Sequence, residues 1–220
     1  MGSPRISILT VCTANICRSP FAATRLATSV GGALAEHGLD LEIKSAGIAT
    51  RPGSPPCPSL WSAAGMDVPE GHRSQPATPE LLSGSRLVLG LASNHTSALA
   101  SLAPGARTRT FTLEDAAALA SAVAGPRHAL YWAQADQSEI ATLDPLDPLT
   151  RVPNLPAGAD ERFDWLIAEM DAWRGTVPRI STGSVDDPHE SEVEIHSEVS
   201  SEISGLAVLL GSSVAAVLSA

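Results

Sequence analysis

The sequence predicts a three-layer α/β fold, a doubly wound sheet of four parallel strands with helices on both faces. Three observations predict it. Short apolar runs alternate with helical segments in the order β-α-β-α-β-α-β-α, the pattern that builds a parallel sheet through helical crossovers. The 220 residues suit one such domain. Hydrophobic residues make up 44% of the chain, enough for a full core and too many for a disordered polymer.

Each element follows from local chemistry. Ile6 to Val11 is apolar and rich in β-branched residues, and reads as a buried strand. Ser19-Pro20 then reads as an N-cap followed by proline at the first helical position. That helix runs to about Val30, is weakened at Gly31-Gly32, and reaches no further than Glu36 before Gly38 stops it. Leu41 to Ala46 is the second strand, and a Pro-rich stretch from Pro52 to Pro58 leads to a short helix over Ser59 to Ala64. Arg86 to Leu91 is the third strand and Asn94 to Leu102 a helix. Arg107 to Phe111 is a short fourth strand, after which Thr112 caps a helix over Leu113 to Ala124.

Residues 126–157 differ in character. They hold four prolines among 126, 145, 148 and 153, a fifth at Pro156, and the near-repeat Asp144-Pro145-Leu146-Asp147-Pro148. We read them as a Pro-rich insertion within a single domain spanning residues 1–220. Tyr131 and Trp132 lie inside it, where they would pack over the core or line a partner surface. Helix resumes over Asp160 to Trp173, with Phe163, Leu166, Ile167 and Met170 on one face. After a loop over Gly175 to Val185, a last helix runs from about Glu190 to Leu218. Val199, Ile203, Leu206, Leu210, Val214 and Val217 form its buried stripe.

Charge and cysteine content narrow the function classes. The formal net charge is −10, which argues against a nucleic-acid backbone as partner. Seven of those charges fall between Asp186 and Glu202 with no Lys or Arg among them, leaving −3 for the rest. Three cysteines do not make a disulfide scaffold. The apolar stretch Gly205 to Ala220 falls short of the roughly 20 residues a bilayer needs, so a packed helix is expected, with no membrane partner. With no export signal, the expected compartment is the cytoplasm, where the thiols stay reduced.

The chemistry concentrates in Cys12-Thr13-Ala14-Asn15-Ile16-Cys17-Arg18-Ser19, between a buried strand and a helix start. In a parallel sheet, ligands bind at the carboxyl ends of strands. Loop amides at a helix N-terminus form an anion cradle, and the same field favours a thiolate at Cys12. Arg18 offers a planar fork to two phosphate oxygens, and the Ser19 hydroxyl is placed to donate to sulfur. Together these parts suit attack on a phosphate ester through a cysteinyl-phosphate intermediate.

Val11-Cys12-Thr13-Ala14-Asn15-Ile16-Cys17-Arg18-Ser19-Pro20 resembles the phosphate-binding signature of the low-molecular-weight protein tyrosine phosphatases. Ser45-Ala46-Gly47, Pro52-Gly53, His72-Arg73-Ser74, Thr110-Phe111-Thr112-Leu113 and Asp187-Pro188 resemble further family segments, in family order. The likeness covers about Arg5 to Gly125 and Asp160 to the C-terminus, and is similar to actinobacterial-type members apart from the insertion.

The resemblance implies a protein-tyrosine phosphatase, a phosphoric monoester hydrolase that needs no metal and no cofactor. Its substrate would be a phosphotyrosine-containing protein or a small aryl phosphate. Cys12 would be the nucleophile and Arg18 the clamp, with the loop Thr13, Ala14, Asn15, Ile16, Cys17 and Ser19 binding phosphate. Asp187 would be the general acid, with Asp186 beside it as the alternative. Ser45 and His72 would support the loop. Cys17 would be either packing or a reversible disulfide partner for Cys12.

Departures from the family bear on specificity. Two aromatic walls that flank the substrate ring in the family correspond here to Arg51 and His189. Ile16 stands where phosphoarginine phosphatases of the family have Thr, Gln75 replaces a common Arg, and Ala23 replaces a common Glu. Two other readings keep the same loop. A thiol-dependent arsenate reductase would need two further cysteines near each other, and only Cys57 remains, alone in its Pro-rich loop. A non-catalytic module binding phosphate esters would keep the fold with altered selectivity.

Overall fold

A computed structural model describes residues 4–125, 155–175, 184–188 and 193–220. Its sheet has four parallel strands in the order β2-β1-β3-β4, formed by β1 (Arg5–Cys12), β2 (Asp40–Gly47), β3 (Leu87–Gly90) and β4 (Thr110–Thr112). The helices are α1 (Arg18–Glu36), α2 (Pro58–Ala63), α3 (Pro79–Ser83), α4 (Ser93–Leu102), α5 (Leu113–Ala124), α6 (Ala159–Ala172) and α7 (Val193–Leu218).

Strand periodicity divides the core in two. Side chains alternate across a sheet, so Ile6 and Ile8 of β1 join one apolar cluster while Leu9 and Val11 join the other. The larger cluster takes in α1, α2, α5, α6 and α7, with Phe21 and Trp61 in an edge-to-face contact at 5.5 Å. The smaller cluster holds Leu82 of α3, Leu99 of α4 and Ala106.

α7 is long and apolar enough, by length and composition, to cross a membrane. Its stripe of Val199, Ile203, Ala207, Leu210, Val214 and Val217 is nevertheless buried among α1 and α5. Leu206, expected in that stripe, is only partly buried beside it. The close approach of α7 to α1 is made at Gly211, where a Cβ would lie 2.8 Å from the backbone of Ser29.

Three local expectations change. Ser19 does not cap α1. The N-cap position is Cys17, and Ser19 lies inside the first turn with its hydroxyl turned into the loop. The fourth strand starts at Thr110 because Pro104–Arg109 winds into a 3-10 helix first, seeded by proline in its first turn. The five-residue α3 was not expected, although Thr78 caps it through Leu81 N–H at 3.3 Å and Pro79 opens it. Thr112 caps α5 as read, accepting from Asp115 N–H at 3.0 Å. Of the Pro-rich insertion, residues 126–154 lie outside the described residues, as do Tyr131, Trp132 and His189.

Candidate active site

The segment from Cys12 to Arg18 joins β1 to α1 at the carboxyl end of the sheet. Backbone bonds hold it between the neighbouring strands. Ile48 N–H donates to Cys12 O at 3.0 Å, Ala49 N–H to Thr13 O at 2.9 Å, and Leu91 N–H to Val11 O at 2.9 Å. Gly47 has no room for a side chain, since a Cβ there would meet Thr13 O at 2.5 Å and Asn15 N at 2.9 Å. The Ser-Ala-Gly segment thus ends in glycine because the loop backbone lies directly against it.

Asn15 organises the loop. Its φ of 58° puts it in the left-handed region, which Asn tolerates better than most residues. Its side chain is fully buried and fully used. Nδ2 donates to Ser19 Oγ at 3.0 Å and to Ser45 Oγ at 2.8 Å, and Oδ1 accepts from Gln75 N–H at 2.9 Å. His72 Nε2 lies 2.9 Å from Asn15 O, and Gln75 Nε2 donates to Ser45 O at 3.0 Å. Ser45 and His72 thus both contact Asn15, one at its side chain and one at its carbonyl. Gln75, noted from the sequence only as a replacement, belongs to the same network.

Cys12 is buried, with its Sγ at the centre of this arrangement. Asn15 N–H donates to it at 3.3 Å and Ser19 Oγ is 3.1 Å away. Arg18 is buried, and one of its terminal nitrogens donates to Val185 O at 3.0 Å while the other pairs with Asp187 Oδ2. Its Nε is buried and has no hydrogen-bond partner among the described residues. An orphaned cationic donor in this position is what an anionic ligand would satisfy.

Asp187 arrives from 169 residues away in sequence. Val185 N–H bonds Leu91 O at 2.9 Å, extending the line of β3 and laying residues 184–188 along the loop. Of the two candidate acids, Asp187 meets Arg18, and its side chain remains about half exposed. Asp186 is exposed. Arg51 is also exposed, and its carbonyl accepts from Ser74 Oγ at 2.6 Å and Ser54 Oγ at 2.9 Å.

Two features escaped the sequence reading. His95, at the start of α4, is fully buried with Nε2 3.0 Å from Thr13 Oγ1. Burial, and secondarily the nearby Arg18 guanidinium, lower its pKa from 6.5 to about 4, so the ring is neutral near pH 7. Its position just after β3, at the ligand-binding end of the sheet, was the signal available. The second feature is Cys57. It does not stand alone: its N–H donates to Ile16 O at 2.7 Å, and its thiol lies beside that of Cys17. Burial first, and then the contact with Cys57, push the Cys17 thiol far above the usual range.

The sequence profile described as low molecular weight phosphotyrosine protein phosphatase matches residues 7–125, more than half of the chain. A protein-arginine-phosphatase of Bacillus subtilis (strain 168) is 32% identical over 112 residues, covering 50% of this chain and 71% of that protein. The low molecular weight protein-tyrosine-phosphatase Etp of Escherichia coli (strain K12) is 31% identical over 107 residues, covering 47% of this chain and 66% of Etp. A solved low molecular weight protein tyrosine phosphatase from T. tengcongensis superposes with a TM-score of 0.56 at 23% identity, over 93% of this chain and 97% of that one. It shares the four-stranded parallel α/β fold. The signature loop, the sheet that carries it and the profile match agree: the chain belongs to the low molecular weight phosphotyrosine protein phosphatase family, whose members are cysteine-based phosphatases.

Proposed function

We propose that this chain is a phosphomonoesterase acting on protein phosphotyrosine and small aryl phosphates, with Cys12, Arg18 and Asp187 as its catalytic residues. The observation that supports it most is the meeting of Asp187 with Arg18 beside the loop that holds Cys12. Cys12 sulfur attacks phosphorus, the bond to the leaving oxygen breaks, and Asp187 gives that oxygen its proton. Arg18 and the amides of residues 13–18 hold the equatorial oxygens. Asp187, now a carboxylate, takes a proton from water as it attacks the cysteinyl phosphate, and inorganic phosphate and the thiolate are restored. Asn15, Ser19, Ser45, His72 and Gln75 act through the loop as positioning residues.

Arg51 and His189 would replace aromatic rings as walls of the substrate slot. Cys17 would protect an oxidised Cys12: the sulfenic acid condenses with the Cys17 thiol, releasing water and forming a disulfide. Reduced thiols at all three cysteines fit the cytoplasm, and residues 126–157 would be an insertion within one domain.

A second substrate class, protein phosphoarginine, is favoured by the similarity to the Bacillus subtilis protein-arginine-phosphatase. Ile16, in place of the Thr that the family resemblance associates with that activity, favours phosphotyrosine. The test is a comparison of kcat/KM on phosphotyrosine peptide, phosphoarginine peptide and aryl phosphate, together with Cys12→Ser. Phosphotyrosine should lead, and Cys12→Ser should abolish turnover while retaining phosphate binding. Undiminished turnover in Cys12→Ser would overturn the mechanism, and a lead for phosphoarginine would reassign the substrate.

A further inference from the structure

Cys17 Sγ, Cys57 Sγ and a ring nitrogen of His196 all lie within 4.8 Å of one another. The three side chains come from separate parts of the chain. Cys17 is the N-cap of α1, Cys57 the N-cap of α2, and His196 sits in the first turn of α7. Cys17 is 3% exposed and His196 5%, whereas Cys57 is partly open to solvent. None of the three is a group that forms or breaks a bond in the hydrolysis described above.

We propose that these three side chains form a binding site for a thiophilic divalent cation, zinc above all, which shares Cys17 with the phosphate loop. Two sulfurs and one imidazole are the donor set that tetrahedral zinc prefers, and hard cations such as magnesium do not take it. With zinc–sulfur bonds of about 2.3 Å and zinc–nitrogen bonds of about 2.0 Å, tetrahedral ligand atoms stand roughly 3.5–3.8 Å apart. The present spacing, up to 4.8 Å, would contract to that value on binding. Solvent on the Cys57 side supplies the fourth ligand and the entry path. Binding converts two thiols to thiolates and releases two protons, leaving the zinc site neutral.

The cation would tie three elements together at the base of the loop. It would also occupy Cys17. Zinc binding and disulfide closure of Cys12 onto Cys17 therefore exclude each other, a consequence that rests on the protective role proposed for Cys17. The site itself does not rest on the phosphatase reading.

The test uses the full chain carrying Cys12→Ser, so that the reactive thiol contributes nothing, with cobalt(II) as probe. One cobalt per chain should bind, with thiolate-to-metal charge-transfer absorption and the intense visible bands of a tetrahedral centre, and zinc should displace it. Adding Cys57→Ser should weaken binding at least tenfold and reduce the charge-transfer band. Adding His196→Gln, on a different element, should weaken binding and keep that band. Far-UV circular dichroism of each variant reports that the fold is intact. Absence of stoichiometric tetrahedral cobalt in the Cys12→Ser chain, or equal affinity in folded Cys57→Ser and His196→Gln chains, would overturn the site.

Discussion

Asp187 illustrates how much a single carboxylate carries here. It pairs with Arg18, a buried cation whose Nε has no hydrogen-bond partner among the described residues. On the mechanism we propose, a phosphate dianion would take over the guanidinium and Asp187, half exposed, would give its proton to the leaving oxygen. Asp187→Asn should therefore lower kcat by about 10²–10⁴-fold for poor leaving groups and far less for good ones. Asp186→Asn should leave that dependence unchanged. A series of aryl phosphates graded by leaving-group acidity reads this directly, and a leaving-group-dependent loss confined to Asp186→Asn would move the role to that residue. His95 makes a second prediction. Its folded pKa, about 4, lies below the ordinary 6.5, so the unfolded chain takes up the proton first as pH falls. The stability linked to this is complete above pH 6.5 and is lost as pH falls from 6.5 toward 4. Its full extent is on the order of 3 kcal/mol. His95→Gln should flatten thermal stability against pH across that window, and a curve parallel to the native one would remove His95 as the cause.

Among the elements, the junction of β2 with the loop is the tightest. Gly47 ends β2 opposite Cys12, and Thr13 and Asn15 lie where its side chain would be. Both obstacles are backbone atoms, so a methyl group must push the loop itself. Gly47→Ala should cost about 1–3 kcal/mol of stability, and kcat/KM should fall by about 100-fold, since displacement of this order misaligns reacting groups. Gly32→Ala is the control. That position is helical and has open space around it, so it should gain up to about 1 kcal/mol of stability with kcat/KM unchanged. Chemical denaturation and steady-state kinetics on the two variants separate loop geometry from a general effect of adding a methyl.

For the molecule as a whole, β1 is the common wall of both apolar clusters, with Ile6 and Ile8 on one side and Leu9 and Val11 on the other. Neither cluster can lose its packing without exposing the same strand. The two should unfold together as one transition. Leu82→Ala in the smaller cluster and Leu210→Ala in the larger, both fully or almost fully buried, should each cost about 2–5 kcal/mol. Each should shift a single melting curve that fluorescence and circular dichroism report alike. Separate transitions by the two probes would show that the layers fold independently.

The signature loop, the strand before it and the alternation of strands and helices were legible in the sequence, because all three are local. Periodicity fixes which face is apolar, and a nucleophile, an arginine and loop amides within eight residues need no distant partner to be recognised. Thr112 as a cap and the Phe163, Leu166, Ile167 and Met170 face were readable for the same reason. Ser19 was misread because its hydroxyl had two possible uses, capping or loop support, and only the position of Asn15 and Cys12 decides between them. The 3-10 turn at Pro104–Arg109 and the five-residue α3 were missed since so few residues carry no period. Tertiary structure alone brought Asp187 onto Arg18, set His95 against Thr13, and joined Cys57 to Cys17 and His196. Those contacts link residues tens to more than a hundred positions apart. Chain order holds no distance information at that range; the parallel sheet does, by gathering the ends of its strands at one edge.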